Sequence, residues 1–271
     1  MTLPIFTPDE DPGPSFAGLL GRLDLGQQGL PTANPQVLRD TDIIHGTTVM
    51  AARFADGVVI AGDRRATMGN LISHRSMNKV FAADRWSGVA IAGAAGAAME
   101  MVKMFQLQLQ HYEKLEGHAL SLEGKANQLS QMLRANLPLA MQGMAVVPIF
   151  AGYDRRRDVG RLFAYDLTGG RFEETDYIAS GSGSLFARTV IKMDHTPNAA
   201  LDTAVDVMIK ALFAAADDDS ATGGPDSMRG IYPVVAVITA DGYSELEEED
   251  IAARFELLLA EYTVERGSDK S

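Results

Sequence analysis

From residue 47 onward, short apolar runs give way to longer amphipathic stretches and then return. Thr47-Thr48-Val49-Met50-Ala51-Ala52-Arg53-Phe54 reads as a strand and Asp56-Gly57 as a hairpin turn. Val58-Val59-Ile60-Ala61 reads as the returning strand, apolar enough to be buried on both faces. Two further short strands are predicted near 79–83 and 89–93. The period then lengthens. Met101, Phe105, Leu109 and Tyr112 predict a helix over 94–115, and Leu122, Ala126, Leu129, Leu133 and Leu137 another over 122–137. Strands are predicted again at 146–153, 161–166 and 172–177, and helices at 184–193 and 198–215. A hairpin at 234–239 and 243–246 turns on Asp241-Gly242, and a helix over 249–265 follows. Helix pairs set between runs of hairpins predict an α+β fold, with two antiparallel sheets and helices outside them. Strict β-α-β alternation is absent, which argues against a doubly wound parallel sheet.

Residues 1–46 differ in kind. They hold Pro4, Pro8, Pro12, Pro14, Pro31 and Pro35 and six glycines, a composition that resists regular structure. One amphipathic helix is expected at 15–25, where Phe16, Leu19, Leu20 and Leu23 share a face. The segment reads either as a disordered tail or as a detachable prosegment with one docking element, residues 1–46, ahead of one large domain, residues 47–271. The first ten residues carry no Lys or Arg, so no secretory signal is expected.

The whole chain has 271 residues, 46% of them hydrophobic, and a formal charge of −12. No apolar run reaches the ~18 residues that span a bilayer, so no membrane partner is expected. No Lys/Arg-rich stripe is present, so no nucleic-acid partner is expected either. Arg155-Arg156-Arg157, flanked by Asp154 and Asp158, reads as a solvated hairpin turn. The absence of cysteine excludes disulfides, thiolate zinc sites and cysteine nucleophiles, and is compatible with a reducing cytosol.

Most familiar motifs fail. Ser180-Gly181-Ser182-Gly183-Ser184 lies between a strand and a helix, but Phe186 stands where a dinucleotide fingerprint needs glycine, and no Gly-Lys-Ser/Thr follows. The five histidines form no H-E-x-x-H pair, so neither metal nor cofactor is expected. Asp217-Asp218-Asp219 reads as an exposed acidic stretch within a polar loop, 217–230. What survives is Ile44-His45-Gly46-Thr47-Thr48-Val49, with Asp63 in Gly62-Asp63-Arg64-Arg65-Ala66-Thr67 and Lys79 in Met77-Asn78-Lys79-Val80.

These residues resemble the β subunits of the 20S proteasome, a family of N-terminal-nucleophile hydrolases. Gly46-Thr47-Thr48-Val49 is similar to the family's processing junction, Asp63 lies in its second-strand motif, and Lys79 falls at its lysine position. Ile91-Ala92-Gly93-Ala94-Ala95-Gly96 resembles its substrate-binding turn. Ser182 and Asp226 match its two later active-site segments. One departure is plain: many members carry Ser three residues after the aspartate, and here that position is Arg229. The prosegment is similar to the actinobacterial type.

The resemblance implies a four-layer αββα sandwich and a cytoplasmic threonine endopeptidase made as an inactive precursor. Its implied partners are α subunits and other β subunits in stacked seven-membered rings, a regulatory ring ATPase, and unfolded, pupylated protein substrates. Thr47 is the implied nucleophile, Asp63 and Lys79 its supporting pair, and the Gly93 N–H the oxyanion donor. Ala66, Thr67, Met77, Ile91 and Ala95 are the implied substrate-binding residues. Two other readings share part of the pattern: an N-terminal-nucleophile amidase acting on a small metabolite, and a non-catalytic ring subunit. The latter lacks the Thr-Asp-Lys set.

The chemistry explains the residue types. A threonine hydroxyl is a weak nucleophile that needs a base. A free α-amino group titrates near 7.7–8.0, so an N-terminal threonine carries its own base, but only after the chain is cut. A lysine beside it favours the developing alkoxide, and on this reading its removal leaves the fold intact. Glycine at position 46 allows the bent backbone that attack on the preceding carbonyl requires. Active protein is therefore expected to begin at Thr47. Intact-mass or Edman analysis of the purified enzyme checks this, and a different N-terminus in active material excludes the junction.

Overall fold

The computed structural model describes residues 47–268. The chain separates into two units, residues 1–41 and 42–271, and every described residue belongs to the second. The helix expected at 15–25 and the junction residue Gly46 lie outside the described residues.

The elements run β1 (Thr48–Phe54), β2 (Gly57–Gly62), β3 (Ala66–Met68), β4 (Leu71–His74), β5 (Val80–Asp84), β6 (Ser87–Gly93), α1 (Ala95–Glu116), α2 (Leu122–Ala135) and α3 (Leu137–Ala140). They continue with β7 (Val146–Asp154), β8 (Val159–Tyr165), β9 (Arg171–Glu174), β10 (Tyr177–Gly181), α4 (Ser184–Asp194), α5 (Leu201–Asp218), β11 (Val234–Thr239), β12 (Gly242–Glu245) and α6 (Glu248–Ser268). One five-stranded sheet has the order β10-β1-β2-β11-β12 and the other β5-β6-β7-β8-β9. Every pairing within them is antiparallel.

Three apolar layers follow from side-chain alternation along these strands. Val49 and Ala51 of β1, Val58 and Ile60 of β2, and Ala236 and Ile238 of β11 meet Ala90, Ala92, Ile149, Ala151 and Leu162 of the other sheet. The intervening residues Met50, Ala52, Val59, Ala61, Val235 and Val237 pack against α4, α5 and α6 through Ile191, Met208, Leu212 and Phe255. On the far side, Val89, Ile91, Phe150 and Phe163 pack against α1 and α2 through Phe105, Leu109, Leu129 and Leu133. Helices, sheet, sheet and helices thus form the expected four-layer αββα sandwich. A strand buried on both faces has no polar face to show, which is why Gly57–Gly62 is an unbroken apolar run.

Two helix ends follow directly from their residues. Ser121 caps α2 by accepting from the Gly124 N–H at 3.1 Å, and α1 ends at Gly117 in the left-handed conformation, φ 72°. Residues 155–157 are exposed in the β7–β8 turn, as expected. The largest departure lies at 171–181. One strand was expected at 172–177, but the chain makes two short strands there and changes sheet between them. β9 closes the edge of the second sheet, and β10 pairs with β1 in the first, with Thr48 opposite Gly181. The small β3–β4 hairpin was not anticipated either; its polar, Gly-containing sequence carries no clear period.

Candidate active site

β1 begins beside β2's end, so the residues flanking the 47–48 peptide and the 62–65 turn are neighbours. The Asp63 N–H donates to the Thr48 carbonyl at 3.0 Å, and the Asp63 side chain answers by accepting from the Thr48 N–H at 2.8 Å. Asp63 is 0% exposed, yet both carboxylate oxygens are filled. Oδ1 also accepts from Lys79 Nζ at 2.7 Å, while Oδ2 accepts from the N–H groups of Arg65 at 2.9 Å and Gly223 at 2.8 Å. A buried carboxylate is tolerable only with such a shell of donors.

Lys79 lies at the entry to β5 and is 3% exposed. Its ammonium donates to Asp63 and, at 2.5 Å, to the Arg65 carbonyl. Burial pulls its pKa below the ordinary lysine value, and the adjacent Asp63 carboxylate opposes that shift by favouring the cation. The Ile91 N–H donates to the Lys79 carbonyl at 2.9 Å, which ties the lysine's backbone to β6.

A small cleft opens beside this pair. It is lined by Thr47, Ala66, Thr67, Met77, Lys79, Ile91, Gly93, Ala95 and Ala98. All five residues expected to bind substrate therefore share one cleft with Thr47, Lys79 and Gly93. Ala98, in the first turns of α1, is the lining residue that the sequence reading missed; a buried alanine on a helix carries no signal of its own. None of the side chains from Ala66, Met77, Ile91, Ala95 and Ala98 is charged, so the walls are apolar apart from Thr67 and the Lys79 end.

Gly93 ends β6 with φ 110°, where L side chains are strained, and a Cβ there would stand 2.2 Å from the Ala145 carbonyl oxygen. Glycine lets the backbone turn along the cleft rim before α1 starts. Gly181 has a similar role opposite it. With φ 97°, it passes so near β1 that a Cβ would stand 1.9 Å from the Thr47 carbonyl oxygen. That close approach delivers Ser182 to the backbone of Thr47. The Thr47 N–H donates to Ser182 Oγ at 3.3 Å.

Asp226, matched to one of the two later active-site segments, does not meet Ser182. Asp226 lies in an isolated bridge with Ile231, and its side chain accepts from Arg229 Nη1 at 2.6 Å, an i,i+3 pair. That guanidinium holds the Asp226 carboxyl below the usual carboxylate range. Ser182 Oγ instead donates to Asp219 Oδ2 at 2.5 Å, and Thr222 Oγ1 donates to the same oxygen at 2.6 Å. Asp219 is the C-cap of α5, with its N–H on the Ala215 carbonyl at 2.9 Å, so the helix end fixes its position. Thr222 is buried at 0% exposure. The Ser182 partner is therefore Asp219 and not Asp226, and Asp219 is no part of a featureless acidic loop. A signal was available: Asp219 carries a hydroxyl residue three positions on, the spacing that fails at Asp226-Arg229.

Among the described residues, no group of three His, Asp or Glu side chains converges to hold a metal ion. No described helix is long and apolar enough to cross a membrane.

Burial also changes the expectation for Lys79. Removing it strips a fully buried carboxylate of its only charged donor. Lys79→Ala is therefore expected to lower stability by about 3–5 kcal/mol, read as a fall in the denaturant midpoint. A midpoint equal to that of the parent protein would mean that the three backbone N–H groups alone satisfy Asp63.

The family described as "Proteasome subunit" matches residues 43–229. A protein of Acidimicrobium ferrooxidans named "Proteasome subunit beta" is 54% identical over 264 residues, covering 96% of this chain and 96% of its own. Proteins of the same name from Streptomyces griseus and Jonesia denitrificans are 59% identical over 206 residues and 51% over 247. They cover 76% and 89% of this chain, and 73% and 80% of their own lengths. With its sandwich fold and a threonine at the head of the first strand, the chain belongs to the proteasome subunit family, among its β subunits.

Proposed function

We propose that this chain is the precursor of a threonine endopeptidase, cut between Gly46 and Thr47 by its own Thr47 hydroxyl. The observation that carries the reading is the shared cleft: Thr47, a buried lysine and a mostly apolar surface meet in one place. In the precursor the Thr47 nitrogen is an amide and takes up no proton. Attack by Oγ1 on the Gly46 carbonyl carbon forms an ester as the C–N bond breaks, and that nitrogen leaves as a free amine. Water then hydrolyses the ester, releasing residues 1–46 and regenerating the hydroxyl.

In the mature protein the α-amine accepts the Oγ1 proton as Oγ1 attacks a substrate carbonyl. The Lys79 cation favours the developing negative charge, and the Gly93 N–H at the cleft rim serves the oxyanion. Loss of one such donor typically costs ~3–4 kcal/mol of transition-state stabilisation. The tetrahedral species collapses as the proton passes from the amine to the leaving nitrogen. An acyl ester on Thr47 remains, and water completes the cycle. Ser182, 3.3 Å from the Thr47 nitrogen, orients that base.

The wider setting follows the same reading. The chain assembles with other subunits into the proteasome core, and the proposed arrangement is stacked seven-membered β rings between α rings. The proposed supply is unfolded, pupylated protein delivered by a ring ATPase, and the proposed compartment is the cytoplasm. Keeping the prosegment attached until assembly protects other proteins from an exposed nucleophile.

Thr47→Ala is expected to abolish peptide hydrolysis and leave residues 1–46 attached, and Thr47→Ser to retain part of both activities. Substantial hydrolysis by the alanine variant removes Thr47 from the mechanism. With apolar cleft walls, fluorogenic peptides ending in Leu or Tyr are expected to be cut faster than those ending in Arg or Glu; the reverse order refutes the assignment of the cleft.

A further inference from the structure

Thr48, immediately after the proposed nucleophile, touches both halves of the site. Its backbone is bound to Asp63 in both directions, as described above. Its side chain faces the other way and is 0% exposed. Thr48 Oγ1 lies 2.6 Å from Thr222 Oγ1, and Thr222 Oγ1 lies 2.6 Å from Asp219 Oδ2. The loop that passes over this contact is built around it: a Cβ on Gly183 would stand 2.2 Å from Thr48 Oγ1 and 2.6 Å from Thr222 Oγ1.

The proton positions follow from counting donors. An ionised carboxylate only accepts, and each hydroxyl has one proton to give. Thr222 gives its proton to Asp219, so the Thr48–Thr222 contact is filled by the Thr48 proton. On the other side, the Ser182 proton goes to Asp219 at 2.5 Å in preference to the Thr47 carbonyl at 3.5 Å. Ser182 Oγ is thereby left as an acceptor facing the Thr47 nitrogen. The hydroxyls of Thr48, Thr222 and Ser182 thus all point their protons toward one carboxylate, and each bond polarises the next.

We propose that Thr48 is a positioning residue for the reaction: its hydroxyl, acting through Thr222, holds Asp219 where Ser182 must present an acceptor to the Thr47 nitrogen. The inference rests on the proposal that Thr47 is the nucleophile. In the mature protein, an amine that donates to Ser182 keeps its lone pair turned away from it and available to the Thr47 hydroxyl. Thr48 does not line the substrate cleft, so it acts on turnover and not on substrate affinity.

The test compares Thr48→Val, Thr48→Ser, Thr222→Val and the Thr48→Val/Thr222→Val double variant in the assembled particle, with Thr47→Ala as control. Valine keeps the shape and the strand preference of threonine and removes only the hydroxyl. Thr48→Val is expected to lower kcat about tenfold, the worth of roughly one net hydrogen bond, with KM within about twofold. Thr48→Ser is expected to restore kcat. The double variant is expected to be no slower than Thr222→Val, because both changes cut one relay. An uncleaved Thr48→Val precursor beside a cleaved Thr48→Ser one supports the same role. Parent-level kcat in processed Thr48→Val overturns the proposal, as do losses that simply multiply in the double variant. Should Thr48→Val prove insoluble, parent-level kcat in Thr222→Val overturns it. An active Thr47→Ala control overturns the nucleophile itself, and so separates the two failures.

Discussion

Asp63 places a carboxylate where water does not reach, and the architecture of the site follows from satisfying it. Four donors converge on the carboxylate: Lys79 and the backbone N–H groups of Thr48, Arg65 and Gly223. They come from the head of β5, the start of β1, the turn after β2 and the loop after α5. An unfilled buried carboxylate is costly enough that each segment is held to the others. The four segments that make up the site are thereby registered to a single pair of oxygen atoms. Lys79 meets both the carboxylate and the Arg65 carbonyl, so its ammonium is held in place before any substrate arrives. Preorganised charge of this kind needs no rearrangement as the reaction proceeds.

The sandwich supplies the rigidity on which that registration depends. β1 and β2 are covered on one face by the second sheet and on the other by α4, α5 and α6. A strand packed on both faces has little freedom to slip, and a slip of one residue would exchange its two apolar sets. Thr47 therefore sits at the first residue of the described fold yet is anchored by a strand buried along almost its whole length. A second charged cluster serves a different purpose. Arg161, in β8, meets Asp154, Glu123 and Glu173 at 3.1, 2.6 and 2.6 Å, and so joins β7, α2 and β9 on the side away from the cleft.

Much of this was legible in the sequence, for a physical reason. Apolar periodicity reports burial, and here nearly every element is buried on at least one face, so most strands and helices fell close to their expected positions. Thr47, Asp63 and Lys79 were singled out through the family resemblance, and the structure places them at neighbouring strand ends. The failures share a cause too. β9 and β10 were fused into one strand because no turn residue with a positive φ marks the change of sheet at 175–176. Asp219 was not legible as the partner of Ser182, because a loop with several aspartates offers no period and the contact depends on which one caps α5. Thr48 and Thr222 were invisible as a pair, since hydroxyl contacts between residues 174 positions apart leave no trace in spacing.

The change of sheet between β9 and β10 has a consequence for the order of events during synthesis. β1 emerges first among the described elements, but one of its neighbours, β10, and the residue that meets the Thr47 N–H come much later. Ser182 is 135 positions after Thr47. At synthesis rates of about 5–20 residues per second, the ribosome takes on the order of ten seconds to travel that far. Through that interval β1 can pair with β2 but has an open edge on its other side. Asp219 and Gly223 arrive later still. Long-range strand pairing thus acts as a clock: a nascent chain has Thr47 early but not the residues that surround it in the finished fold.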